Sequence, residues 1–169
     1  SAIELDPELQ QAELLLFSSY IKEKKYIQAR TLANAIEAKK SDSSLGANLN
    51  ALTYLAQEKP IKALSILEQA LVKFPVDPLT SINLARIHLK NGELEKAKSL
   101  YTASITKNPK NIKMYFQMAL IASIEKDQQA VIDWLKKAVE MGAGQLTPIL
   151  MLSNQYLKQN DANSAVSLL

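Results

Sequence analysis

One column of small residues constrains this chain more than any other feature. Ala29, Ala63, Ala97, Val131 and Ala165 follow one another at steps of 34 residues, with no insertion or deletion between them. A fixed period in the 20–50 residue range is the mark of a stacked repeat architecture and is sought before any local feature. With this column numbered as position 20, repeats run 10–43, 44–77, 78–111 and 112–145, and a partial repeat runs 146–169. Position 8 reads Phe17, Ala51, Ala85, Ala119, Ser153, and position 11 reads Tyr20, Tyr54, His88, Ala122, Tyr156. Position 24 reads Ala33, Leu67, Tyr101, Leu135, Leu169. Position 27 reads Ile36, Ala70, Ser104, Ala138, and position 32 reads Ser41, Pro75, Pro109, Ala143.

These columns resemble the tetratricopeptide repeat (TPR) family, whose pattern has small residues at 8, 20 and 27, aromatics near 11 and 24, and Pro at 32. The resemblance covers the whole chain. It departs from the pattern at Phe17, Val131, Ser41 and Ala143. The family's position-4 Trp is absent throughout, replaced by Glu13, Ala47, Ser81, Tyr115 and Ile149. The fold it implies is all-α, a right-handed superhelical solenoid of antiparallel helix pairs. Small residues let paired helices approach, larger ones fill the space between successive pairs, and neighbours must stack because one pair cannot bury both apolar faces.

Local signals place the helices. Asp77–Pro78 puts a capping carboxylate before Pro at a first helical position. Asn91–Gly92 supplies a left-handed-tolerant helix end. Asp127 and Asp161 stand where they would cap second helices. Ile61, Leu64, Ile66, Leu67 and Leu71 have the spacing of a helix with one buried face. First helices are expected near 10–23, 45–57, 79–91, 113–125 and 147–159, and second helices near 27–39, 61–73, 95–107, 129–141 and 163–169.

Run backwards, the register makes residues 1–9 the tail of a preceding repeat, with residues 2–7 as the end of its second helix, and the last residue falls at position 24. The chain therefore reads as one array segment cut from a longer solenoid. A source gene that starts and stops at these residues would contradict that reading. Ser1–Ala2–Ile3–Glu4 shows neither a basic segment nor an apolar h-region, as would also hold for a chain that starts inside a longer gene.

Composition narrows the function classes. Of 169 residues, 47% are apolar and 22% charged, as in a folded chain, and the low counts of 4 Gly and 6 Pro disfavour a loop-rich β fold. No run of about 18 apolar residues offers a membrane span. Cysteine is absent, which removes disulfides, thiol catalysis and cysteine metal sites within these residues. The net charge is +3, and only Arg30 and Arg86 among 20 basic residues are arginine. Base-reading proteins lean on the bidentate Arg fork, so nucleic acid is not expected as a partner.

Catalytic chemistry is not expected either. The single histidine, His88, sits in the position-11 column with Tyr20, Tyr54 and Tyr156, which reads as a packed spacer rather than a ligand or base. Gly142–Ala143–Gly144 is a loop without the Lys-Ser/Thr of a phosphate cradle. Glu93 and Glu95 suit the start of a helix, where they complement its dipole. Trp134 is either a partner anchor or a packing residue between helices. No cofactor and no metal are implied.

In the TPR family, positions 2, 5, 6, 9, 12 and 13 of the first helices line a concave groove. The resemblance therefore implies a peptide- or protein-binding groove built from Leu14 and Ser18, Asn48 and Leu52, Asn83, Arg86 and Lys90, then Lys113, Phe116, Gln117 and Leu120, and finally Asn154 and Lys158. Leu15, Ile124, Leu150, Met151 and Leu157 fall on the same positions. Each such Leu either faces the groove or packs on a neighbouring first helix. Leu-rich surroundings suit an amphipathic helix or apolar peptide, and Asn and Gln both donate and accept toward a peptide backbone. The carboxylate clamp by which some TPR domains hold chaperone tails is not reproduced. Its five positions read Asn48, Leu52, Asn83, Lys113 and Gln117, and only Asn83 and Lys113 match. Lys22, Lys90 and Lys158 recur at position 13, either as a row for an acidic partner or polysaccharide, or as cations at helix C-termini.

Three stretches, 12–30, 83–101 and 130–161, are similar to the bacterial PEP-CTERM/exosortase-associated TPR lipoproteins. That similarity implies a lipid-anchored cell-envelope or periplasmic protein beside exopolysaccharide loci, with the cytoplasm as the alternative. The reading is a non-enzymatic scaffold for a protein or peptide. Its alternatives are an accessory repeat domain of an enzyme or exopolysaccharide-synthesis or export machine, and self-association through the cut repeat ends.

Overall fold

The computed structural model describes residues 7–168, and among them every regular element is helical. The helices are α1 (Pro7–Lys22), α2 (Tyr26–Lys39), α3 (Leu45–Ala56), α4 (Pro60–Lys73), α5 (Pro78–Lys90), α6 (Leu94–Lys107), α7 (Ile112–Ile124), α8 (Gln128–Met141), α9 (Leu146–Lys158) and α10 (Ala162–Val166). The expected helices are all present. The chief differences are at the ends. α1 begins at Pro7, three residues before the expected start near residue 10. Pro at the first position presets φ, and Glu8 lies in the first turn, where the dipole favours it. The rest of the expected tail, residues 1–6, and Leu169 lie outside the described residues. α10 stops at Val166, where the Ser167 N–H closes on the Asn163 carbonyl.

The repeat columns become the core. All five residues of position 20, all five of position 8, and all four of position 27 are buried, as are the four described residues of position 24. These are the places where helix axes come close, so a larger side chain would push the helices apart.

The turn between the two helices of each repeat has one construction five times over. Position 15 takes a positive φ in each: Lys24 (58°), Glu58 (59°), Gly92 (77°), Lys126 (62°) and Asn160 (60°). The next N–H reaches back five residues to the position-11 carbonyl, as in Lys25 to Tyr20 (2.8 Å), Lys59 to Tyr54 (2.9 Å), Glu93 to His88 (2.8 Å), Asp127 to Ala122 (2.9 Å) and Asp161 to Tyr156 (3.0 Å). The position-15 N–H donates to the position-12 carbonyl. Together these are the two bonds of a Schellman motif, which satisfies helix-end carbonyls and reverses the chain.

The chain divides into two compact units, 1–87 and 88–169, with the boundary inside α5. In the first unit, α1 packs on α2, α2 on α3, and α3 on α4. Its core joins Phe17, Ala29, Ala33, Ile36 and Leu49, with Tyr20, Ile21 and Leu32 packed against them. In the second, α6, α7, α8, α9 and α10 pack each on the next. Ala119, Ala122, Val131, Ile132, Leu135 and Leu152 form its core.

Candidate functional site

In the first unit, the groove positions are occupied differently from what the register alone suggests. Asn48 (1% exposed) and Asn83 (5% exposed) are buried, not presented to a ligand. Asn83 Nδ2 donates to Asn48 Oδ1 at 2.8 Å. Asn48 Nδ2 donates to the Ser44 carbonyl and to Thr80 Oγ1, both at 2.9 Å. The chain of bonds continues to Asp77, whose Oδ2 accepts from the Ser44 hydroxyl (2.7 Å), the Thr80 hydroxyl (2.7 Å) and the Thr80 N–H (2.8 Å). Asp77 thus caps α5, as its place before Pro78 predicts, and ties it to the start of α3. The expectation that Asn48 and Asn83 bind a peptide backbone is corrected here. Buried amides must be paired, and these two are paired with each other and with α3 and α5.

Leu14 and Leu52 are half-buried against the first core. Ser18 is exposed, with its hydroxyl donating to the Leu14 carbonyl of its own helix at 2.9 Å. Arg86 is exposed. In this unit, Arg86, Ser18 and the uncovered Leu15 are accessible on the expected face, as are Gln11, Lys22 and Leu79 at other groove positions.

The second unit keeps more of its face open. Lys90, Lys113, Leu120, Asn154 and Lys158 are exposed. So are Ile124, Leu150, Met151 and Leu157, which also fall on groove positions, and Leu146 at position 1. Sequence reasoning missed Leu146, and its signal was the position directly before the groove columns. Phe116 is half-buried against the second core, and Gln117 Oε1 accepts from the Tyr101 hydroxyl at 3.4 Å. Neither α7 nor α9 carries a carboxylate, and Lys113 and Lys158 are their charged residues. Lys22, Lys90 and Lys158 each lie in the last turn of a helix, which accounts for their placement through the dipole.

His88 is buried, with Nδ1 2.6 Å from Glu93 Oε2 across the Schellman turn. Lys96 donates to the other oxygen of Glu93 at 2.6 Å. The Lys96 hydrogen bond and then that of His88 hold the Glu93 carboxyl below its ordinary range. Glu93 thus clamps the turn, in addition to lying at a helix start. Trp134 packs against the second core and on Tyr115, with ring centroids 6.3 Å apart, and Lys137 Nζ lies 4.3 Å over its ring. It is a packing residue in this unit. Among the described residues no three His, Asp or Glu side chains converge as metal ligands, and no helix is long and apolar enough to cross a membrane.

Residues 54–124 match a family model described as tetratricopeptide repeat. No curated protein sequence matches the chain. Among solved structures, the fold is similar to a MamA fragment from Desulfovibrio magneticus RS-1, with a TM-score of 0.60, 12% identity, and coverage of 94% of this chain and 89% of that one. It is similar to TTC0263, a thermophilic TPR protein of Thermus thermophilus, with a TM-score of 0.64, 18% identity, and coverage of 94% and 87%. Human IFIT1 aligns with a TM-score of 0.63 and 16% identity over 83% of this chain and 34% of its own. At these identities the likeness concerns the fold alone. With a family match over residues 54–124, helix pairs that keep the 34-residue register on either side, and neighbours of the same architecture, the chain has the tetratricopeptide-repeat fold.

Proposed function

We propose that the chain is a non-catalytic scaffold holding a peptide or helical segment of a partner protein against the exposed faces of its first helices. The observation that carries this reading is the uncovered apolar face of α7 and α9 in the second unit: Leu120, Ile124, Leu150 and Leu157 are each 45–53% exposed. Large apolar side chains gathered on one face and left open to water favour a partner that covers them. Lys113 and Lys158, with no carboxylate on either helix, favour an acidic amphipathic segment with apolar residues at helical spacing. Arg86, Ser18 and Leu15 supply the corresponding contacts in the first unit.

Selection of a displayed peptide library against the protein, followed by titration of a selected peptide, tests this. Leu120→Asp and Leu150→Asp are expected to weaken that peptide by tenfold or more while helix content is unchanged. Retained affinity in both folded variants would contradict the proposal.

A further inference from the structure

A concave feature of a different character lies in the first unit, at Ala47, Asn50 and Tyr54 of α3 rather than at its groove positions. A cavity of about 380 Å³ opens among α2, α3 and α4. This is within the usual range of small-ligand pockets. Its origin is a departure already visible in the repeat columns. At position 4, where the family carries Trp, this repeat has Ala47, and the space is left open. At the same register position of the fourth repeat, Tyr115 is buried against Trp134, and its hydroxyl donates to the Pro109 carbonyl at 2.9 Å. That repeat fills with aromatics the space that this one leaves empty. Gly46, beside Ala47, is buried against Glu37, and a Cβ there would stand 2.7 Å from the Glu37 backbone, so α3 lies directly on α2 at the cavity wall.

The wall is polar and carries both signs of charge. Arg30, Asn34 and Glu37 lie at i, i+4 and i+7 of α2, on one face of the helix. The Arg30 guanidinium rests 5.2 Å from the centroid of the Tyr54 ring, which holds it in place. Asn50 Nδ2 donates to Asn34 Oδ1 at 2.8 Å. That bond orients both amides and leaves the Asn34 N–H groups to donate and the Asn50 oxygen to accept, the complement of a peptide unit. Neither Arg30 nor Glu37 has an ion-pair partner among the described residues. Seven residues apart, their Cα atoms are separated by about 10.5 Å along α2. An extended peptide spans at most about 3.3–3.6 Å per residue, so a free tripeptide places its two end charges at this separation.

We propose that this cavity binds a short zwitterionic peptide of three residues. Arg30 takes the carboxylate, Glu37 takes the terminal ammonium, and the Asn34–Asn50 pair takes the peptide unit between. A simple anion is disfavoured by Glu37 and a simple cation by Arg30 and by Lys73, which also lines the cavity. The site does not depend on what the first-helix faces bind.

Trialanine, N-acetyl-trialanine and trialanine amide are titrated into the full chain with amide chemical shifts as the readout. Saturable shifts at Asn34, Asn50 and Tyr54 are expected with trialanine, with at least tenfold weaker binding of each capped form. Glu37→Gln should abolish the preference for the free amine, and Arg30→Gln the preference for the free carboxylate. Ala47→Trp should fill the cavity and remove binding. If that variant loses helix content, the two charge variants decide. No saturable shift, equal binding of capped and free peptides, or unchanged preferences in both charge variants would overturn the proposal. Arg86→Ala leaves these titrations unchanged if the site is separate from the first-helix face, and a loss there would overturn that separation.

Discussion

Asn48 and Asn83 mark the limit of what register arithmetic tells about a single side chain. Position 5 and position 6 place them on the first-helix face, and that much is readable from the columns. Whether a neighbouring helix closes over them depends on Ser44, Thr80 and Asp77, polar residues with no distinguishing place in the repeat pattern. Removing one member should expose the cost of the closure. Asn48→Ala leaves the buried amide of Asn83 without its acceptor and removes one donor from the Thr80 hydroxyl, which keeps Asp77, and is expected to lower stability to urea by about 2 kcal/mol. The exposed Asn154→Ala is expected to stay within about 0.5 kcal/mol. Asp161 offers a second residue-scale check. Its carboxylate accepts from the Ser164 N–H at 3.0 Å, and hydrogen bonding by Ser164 holds its pKa below the ordinary value. A carboxyl with a depressed folded pKa adds stability above its unfolded pKa and loses it as pH falls through the folded one. The α10 amides should therefore lose hydrogen-exchange protection on acidification below about pH 4. Asp161→Ala should lack that pH dependence, and an unaltered acid transition in this variant would contradict the assignment.

At the scale of the element, the helices were legible because apolar spacing, small-residue columns and caps all agree. Asp77, Asp127 and Asp161 cap α5, α8 and α10 with their carboxylates. The turns were legible in one case of five. Gly92 announces a left-handed residue, whereas Lys24, Glu58, Lys126 and Asn160 adopt the same conformation because the Schellman bonds and the packing on either side require it. A non-glycine residue there gives up about 1–2 kcal/mol, partly offset by the greater chain entropy that glycine loses on folding. Glu58→Gly and Lys126→Gly, both at exposed sites, are expected to raise stability by about 0.5–1 kcal/mol in denaturant melts. Gly92→Ala should lower it by a similar amount. Loss of stability in both glycine variants would mean that the position-15 conformation is not what these residues oppose.

Across the whole molecule, the 34-residue step explains why a chain with few glycines, no cysteine and one histidine folds at all. Each helix pair supplies half of a core, and burial of positions 8, 20 and 27 completes it. The same periodicity identifies which helices can offer a face, but not how much of that face stays open. In the first unit, Asn48 and Asn83 withdraw into a polar network, whereas in the second Leu120, Ile124, Leu150 and Leu157 remain exposed. The difference lies in side chains that meet across repeats and therefore in contacts the columns do not encode. The proposed scaffold works through its first helices. Amide shift mapping with a library-selected peptide tests that most directly. Perturbations are expected to gather at Lys113, Leu120, Ile124, Leu150, Asn154 and Leu157 on α7 and α9. Perturbations gathered instead on α8, at Asp133, Lys136 and Lys137, with α7 and α9 unmoved, would contradict it.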